Sequence, residues 1–303
     1  MNTISIQNIS KTYTGKVPVK ALQDISIQIN KGELFGLIGP DGAGKTTLFR
    51  ILTTLLVADR GEATVEGFDV KKDFSRIREI VGYMPGKFSL YQDLTIEENL
   101  NFFAQVFNTT VDENYDLIKD IYIQIEPFKK RRASKLSGGM KQKLALCCAL
   151  IHKPSVLFLD EPTTGVDPVS RKEFWDMLTR LKEQNITIMV STPYMDEASL
   201  CDKIALIQGG KILSVNTPIQ ITNEYPFKLY AVRSENNYKL LLHLRNQKEI
   251  NSCYIFGEYL HVTFKKEMTE IAGAEIKEIQ PGIEDCFIYL MKKNEINSNE
   301  RIN

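Results

Sequence analysis

The sequence predicts an α/β fold, on three observations. Leu34 to Ile38 is an apolar run of strand length, and Leu48, Ile51, Leu52 and Leu55 recur at i, i+3, i+4 and i+7 like a buried helix face. Between them lies the glycine-rich loop Gly39-Pro40-Asp41-Gly42-Ala43-Gly44-Lys45-Thr46-Thr47, which fits the pattern G-x-x-x-x-G-K-[ST]. Further on, Val156 to Leu159 forms a second apolar strand that delivers two adjacent carboxylates, Asp160 and Glu161.

These residue types imply nucleotide chemistry. Glycines let a backbone approach an anion without a Cβ in the way, so successive N–H groups and the helix N-terminus can point at phosphate oxygens. Lys45 is expected to reach the β- and γ-phosphates, and the Thr46 hydroxyl to ligate Mg²⁺. Two carboxylates at the end of a buried strand are costly unless a cation or substrate employs them. Beside a phosphate loop, Asp160 is therefore assigned to Mg²⁺ and Glu161 to the role of general base for an attacking water.

Composition narrows the partners. Lysine plus arginine equals aspartate plus glutamate at 38 each, so no global charge draws the chain to nucleic acid or an anionic membrane. The five cysteines, at 147, 148, 201, 253 and 286, show no C-x-x-C pair or zinc spacing and read as reduced thiols of a cytosolic protein. No signal pattern opens the sequence, and the longest apolar run, Leu144 to Ile151, falls far short of the roughly 20 residues that span a bilayer. The chain is not expected to cross a membrane by itself.

The remaining elements follow in order. Ile4, Ile6 and Ile9, then Ile25, Ile27 and Ile29, read as half-exposed strands. Tyr13 lies between them in a polar stretch and has two readings, an aromatic that stacks on a base or a plain surface tyrosine. Residues 61–67 read as a short hairpin arm, and Val81 to Met84 as a strand ended by Pro85-Gly86. Thr95 and Glu98 form a capping box before a helix carrying Phe102, Phe103 and Phe107, and Ile118, Ile121, Tyr122 and Ile125 make a second helix stopped by Pro127. A helical insertion, about 87–150, thus interrupts the α/β domain. It ends with a helix capped by Ser137, in whose first turn Gly138 and Gly139 each destabilise by about 1 kcal/mol relative to alanine. A bare, amide-rich helix start behind a serine suggests a second anion site.

Asp167-Pro168 starts another helix, a cap followed by proline at its first position. Ile186 to Val190 is a buried strand ending at Ser191-Thr192-Pro193, and 203–208 and 211–215 flank Gly209-Gly210 as a hairpin. Beyond Pro218 come three short strands (229–232, 254–256 and 259–264), a helix over 240–244, and a terminal helix after Pro281-Gly282. That region is expected to be a small α+β regulatory or dimerisation domain over 218–292, following a main domain over 1–217. The polar tail 293–303 is expected to be disordered.

In this order the motifs resemble those of the ATP-binding subunits of ABC transporters, specifically of the ABC-2 type exporters. The resemblance covers roughly residues 1–217, with a weaker match at Gly282 to Phe287. It implies a P-loop NTPase fold with an antiparallel β arm, ATP and Mg²⁺ as ligands, and Tyr13 stacking on adenine. By the same likeness, Ser137-Gly138-Gly139 belongs to a signature loop that completes a partner's ATP site, and Asp167 lies in the D-loop. Two such domains would close head to tail on two ATP molecules and move a separate transmembrane permease, placing this subunit at the cytoplasmic face of the membrane.

Three positions depart from the family pattern. Asp41 stands where asparagine is usual. Gly86 occupies the place of a glutamine that senses the γ-phosphate, and Pro193 that of a histidine that clasps it. Losing one such donor can cost about 2.7 to 4 kcal/mol, a factor of about 100 to 1,000 in rate, if nothing replaces it. Lys87 and Gln92 are the nearest candidates to do so. An ATP-driven exporter subunit is the first reading, and an ATP-binding regulatory module with little hydrolysis is the second. A soluble ABC protein acting on ribosomes or DNA is disfavoured, because the chain has neither tandem ATPase domains nor long coiled coils.

Overall fold

Alternating isoleucines build the first sheet. In the computed structural model, which describes residues 2–87, 89–266, 271 and 273–300, β1 (Asn2–Tyr13) and β2 (Val19–Asn30) pair antiparallel. Ile4 lies opposite Ile29, Ile6 opposite Ile27 and Ile9 opposite Ile25, and all six side chains are buried. The chain then forms β3 (Leu34–Ile38) and α1 (Lys45–Leu52), and β4 (Arg60–Val65) and β5 (Phe68–Asp69) complete a four-stranded sheet in the order β2-β1-β4-β5.

After α2 (Phe74–Ile80) and β6 (Val81–Met84) come three helices, α3 (Ile96–Val106), α4 (Tyr115–Tyr122) and α5 (Gly138–Leu150). The capping box at Thr95 is formed in both directions. Next are β7 (Val156–Asp160), α6 (Pro168–Glu183), β8 (Thr187–Thr192), β9 (Lys203–Gln208) and β10 (Lys211–Asn216). The second sheet runs β10-β9-β3-β8-β7-β6, parallel except for β10. Every residue of β3, β7 and β8 is buried, as expected of strands covered on both faces.

Parallel strands end on one side. Register places Asp160 beside Ser191, and Ser191 beside Leu37. The glycine loop, Gly86, Asp160-Glu161 and Ser191-Thr192-Pro193 therefore all leave the carboxyl edge of the sheet, where open α/β sheets bind ligands.

Two expectations for this region are corrected. Leu55 does not extend the buried face of α1, because the helix ends at Leu52 and the chain turns away through Thr54 at φ 62°. Leu55 is 56% exposed, and Phe49 fills the core instead. The second insertion helix stops at Tyr122, and Pro127 sits in a separate 3-10 turn over Glu126–Phe128.

The chain divides into one unit of Met1–Pro218 with Leu290–Asn303 and another of Ile219–Tyr289. The later elements are α7 (Pro218–Asn223), β11 (Leu229–Ser234), α8 (Asn237–Arg245), β12 (Ile250–Phe256), β13 (Tyr259–Phe264), β14 (Ala274–Ile279) and α9 (Ile283–Glu300). The strands form an antiparallel sheet in the order β12-β13-β11-β14. Sequence pattern misses β14, an edge strand with no fully buried residue and so no sharp alternation. The tail expected to be disordered from 293 is helical as far as Glu300, since extending a nucleated helix costs far less than starting one. Residues 301–303 lie outside the described residues.

The start of α9 is tied to this sheet by one carboxylate. Asp285 accepts hydrogen bonds from the Tyr254 hydroxyl and, at 2.7 Å, from the Gly282 N–H, and His261 Nδ1 lies 2.6 Å away. Phe256 stacks on the His261 ring at 4.2 Å. Burial alone would raise the Asp285 pKa, but the bonds from His261, Tyr254 and Gly282 outweigh it and hold the group below its ordinary 3.8. A depressed carboxylate stabilises the fold above its unfolded pKa and loses that contribution as pH falls through the folded value. Asp285→Asn should lower the urea-unfolding free energy of the intact chain at neutral pH by about 1.5–3 kcal/mol. The gap from wild type should narrow as pH is taken below 3.8.

Candidate functional site

The loop between β3 and α1 is held from three sides. Gly39 N–H donates to Thr192 O at 3.2 Å, linking the loop to the end of β8. Gly210 N–H donates to Ala43 O at 3.0 Å, clamping the loop to the β9–β10 turn, and Gln23 N–H donates to Gly210 O at 2.7 Å, fixing that turn to β2. Gly44 sits at φ 106°, and a Cβ there would lie 2.4 Å from Ala21 O, so the position excludes any side chain. Gly42 and Asp41 are exposed, as is Thr46 at the mouth of the helix.

Lys45 is 3% exposed. Its ammonium donates to Gly39 O at 2.7 Å and Pro40 O at 3.0 Å, and pairs with Glu161 Oε1 at 3.0 Å. The two residues assigned to phosphate binding and base catalysis are thus in direct contact. Glu161 follows the last residue of β7 with φ 51°, an uncommon conformation for a side chain other than glycine. Its N–H bonds both the carbonyl (3.1 Å) and the hydroxyl (3.0 Å) of Ser191.

Asp160 is 2% exposed. The Ser191 hydroxyl donates to its Oδ1 at 2.7 Å, while Oδ2 takes no hydrogen bond from any described residue. A free carboxylate oxygen and an exposed threonine hydroxyl form an all-oxygen donor set that suits Mg²⁺, which keeps several ligands as water or phosphate. Burial, followed by the charge of Asp160, pushes the Tyr83 hydroxyl up to about 12.

The Tyr13 hydroxyl lies 3.3 Å from that of Thr47, and the residue is 39% exposed. An exposed ring at the phosphate loop leaves a face for a base. Gly86 also lies at the site, since a Cβ on it would stand 3.1 Å from Asp160 O and 3.8 Å from the Asp160 carboxyl carbon. Pro193 directly follows the residue that anchors Gly39 and offers no N–H. Gln92 is exposed, with its carbonyl bonded to Ser134 N–H at 2.9 Å, and Lys87 is exposed.

The other candidate loop stands apart. Ser137 caps α5 by accepting from Met140 N–H at 3.3 Å, and among the described residues no hydrogen bond or ion pair joins 137–139 to the phosphate loop. Gly139 has a packing reason, because a Cβ there would meet Ser170 Oγ of α6 at 2.8 Å. Gly138 has none, since its nearest contact would be an ordinary 3.6 Å to Gly165 O. Asp167 caps α6 by accepting from Ser170 N–H at 3.0 Å, which holds its carboxyl below the ordinary range.

Sequence reasoning missed Ser191 as a site residue, and it missed Glu197. The buried Glu197 accepts from Thr163 at 2.8 Å and from Thr192, joining the loop after β7 to the end of β8. No local signal marked it, since Glu197 stands among Asp196, Ala198 and Ser199 in the sequence and its partners Thr163 and Thr192 come from other segments.

A model of the family described as "ABC transporter" matches residues 22–164. The chain is 32% identical over 302 residues to "Nod factor export ATP-binding protein I" of Rhizobium etli, covering 96% of this chain and 93% of that protein. The chain belongs to the ABC transporter ATP-binding family. It is also 39% identical over 300 residues to "Probable multidrug ABC transporter ATP-binding protein YbhF" of Escherichia coli, covering 95% of this chain and 52% of that protein. The chain therefore spans about half the length of YbhF. Its fold matches the dimeric post-hydrolysis structure of the ATP-binding cassette MJ0796 bound to ADP and Pi, with a TM-score of 0.64 at 24% identity over 71% of this chain and 98% of that one. The expected P-loop ABC ATPase fold is thereby established.

Gly44→Ala should destabilise the protein by about 1–3 kcal/mol, because a β-carbon is forced into the left-handed region and against Ala21. It should also abolish ATP binding measured by equilibrium dialysis, which a merely local strain at a distant turn would leave intact.

Proposed function

We propose that this chain binds ATP with Mg²⁺ and hydrolyses it, as the energy-coupling subunit of a membrane exporter. The observation that carries the reading is the contact of Lys45 with Glu161 beside the buried Asp160, at the carboxyl edge of the sheet. In this assignment the loop amides of residues 39–47 and Lys45 hold the β- and γ-phosphates, and Tyr13 stacks on the adenine. The Thr46 hydroxyl and the free oxygen of Asp160 hold Mg²⁺, which offsets charge on the phosphates when bound. Lys45 exchanges its partner Glu161 for phosphate, and the released carboxylate accepts a proton from the attacking water.

The separation of the signature loop from the phosphate loop supports a head-to-tail arrangement with a second ATP-binding subunit. Ser137, Gly138 and Gly139 would then meet the partner's γ-phosphate, which supplies the reason for glycine that packing does not supply at Gly138. Asp167, already committed to its own helix, would place the loop before α6 at that interface. The permease is expected on the helical insertion, where Phe103, Phe107, Gln142 and His152 line a cavity of about 170 Å³ beside Gly86. No described helix is long and apolar enough to cross a membrane, so transport requires such a subunit, with this one at the cytoplasmic face. No nucleic acid is implicated. The unit of Ile219–Tyr289 is assigned a regulatory or dimerisation role.

Gly86 and Pro193 favour a second reading, a module that closes on ATP and hydrolyses it little. Turnover of the chain with its copurified permease separates the two. The exporter reading expects Mg²⁺-dependent turnover that Glu161→Gln lowers about 100-fold or more. Background turnover in both proteins, with ATP still bound, would establish the regulatory module instead. Lys87→Ala and Gln92→Ala each test whether those side chains replace the missing donors, and unchanged turnover in both would rule them out.

A further inference from the structure

We infer that Ser191 is a positioning residue that couples the Mg²⁺-binding carboxylate to the general base. This rests on the ATPase reading above and deepens it. Ser191 lies in β8 between β3 and β7, in register with Asp160 on one side and Leu37 on the other, and is fully buried. Its hydroxyl has one proton, and that proton goes to Asp160 Oδ1 at 2.7 Å. The oxygen lone pair then accepts the Glu161 N–H at 3.0 Å.

Both bonds have consequences. Binding Oδ1 sets the rotation of the Asp160 carboxyl group, so that Oδ2, which takes no hydrogen bond from any described residue, is the oxygen left for the cation. Binding the Glu161 amide supports a backbone held at φ 51°, which aims the Glu161 side chain at Lys45. A single rotor thus orients two groups that must act together. Groups that orient a metal-binding carboxylate typically contribute a factor of about 10 to 100 in metal affinity or activity. Alanine would remove both bonds. The Glu161 amide would keep the Ser191 carbonyl at 3.1 Å, whereas Asp160 Oδ1 would lose its hydrogen bond.

The test compares Ser191→Ala, Ser191→Thr and Ser191→Val in the full chain. Threonine and valine have nearly the same shape and differ in the hydroxyl, so crowding in the buried site cancels between them. Three quantities are read: the Mg²⁺ midpoint for the gain in ATP binding, ATP affinity in EDTA, and kcat against KM for turnover. The alanine and valine variants should raise the Mg²⁺ midpoint and lower kcat by about 10- to 100-fold. Their ATP affinity in EDTA should stay within about 2-fold of wild type, since Ser191 does not touch the phosphate loop through its side chain. The threonine variant should restore both values.

Equal Mg²⁺ midpoints for threonine and valine would overturn the inference. So would a uniform loss of ATP affinity in EDTA that tracks a lowered Tm, which is the behaviour of a merely structural serine. If the two larger residues prevent folding, the alanine variant's midpoint decides alone. A wild type that binds ATP without turning it over defeats the ATPase reading, and the Mg²⁺ midpoint still decides the role of Ser191.

Discussion

A buried ammonium group must find acceptors for its protons, and Lys45 finds them in two loop carbonyls and the Glu161 carboxylate. Much of the first unit is arranged to make this contact possible. The carbonyls are available because the loop curls back over its own lysine, and it can do so because Gly44 occupies a conformation and a space closed to other residues. The carboxylate is available because β7 and β3 are parallel members of one sheet, with β8 between them to set their register. Replacing any of these with an unpartnered group would leave a charge in a site that excludes most water, where such charges cost most.

The same edge of the sheet carries two positions where the side chains customary in the family are missing. Gly86 lies against Asp160, and Pro193 adjoins the anchor of Gly39, so both positions border the carboxyl edge of the sheet and neither offers a side-chain donor. In the proposed reading the chemistry rests on Lys45, the loop amides and the two carboxylates. It also rests on the serine and threonine hydroxyls that hold those carboxylates and the loops around them. Ser191 secures Asp160 and Glu161, while Thr163 and Thr192 secure the buried Glu197.

The two glycines of the proposed signature loop differ in what the fold asks of them. At Gly139 packing favours glycine, because a Cβ would press on the Ser170 side chain of α6. At Gly138 it does not, and that residue lies at an exposed helix start with free amide character. In the second unit the corresponding device is Asp285, a buried carboxylate that joins a helix start to two strands and makes that small sheet depend on one ionised group.

The sequence by itself determined the motif order, the strands and helices with strong periodicity, and the residue types that carry phosphate and carboxylate chemistry. Those properties are local: strand alternation, helix spacing, capping and glycine content are all written within a few neighbouring residues. It did not reveal that Leu55 leaves the core, that β14 exists, or that the last helix runs to Glu300, because helix ends and edge strands depend on what packs against them. Only the tertiary structure decided that Lys45 meets Glu161, that Ser191 bonds Asp160, and that Gly139 packs against Ser170. Each of those contacts joins segments far apart in the chain, and their distance is set by the register of parallel strands and the approach of packed helices, which no local pattern encodes.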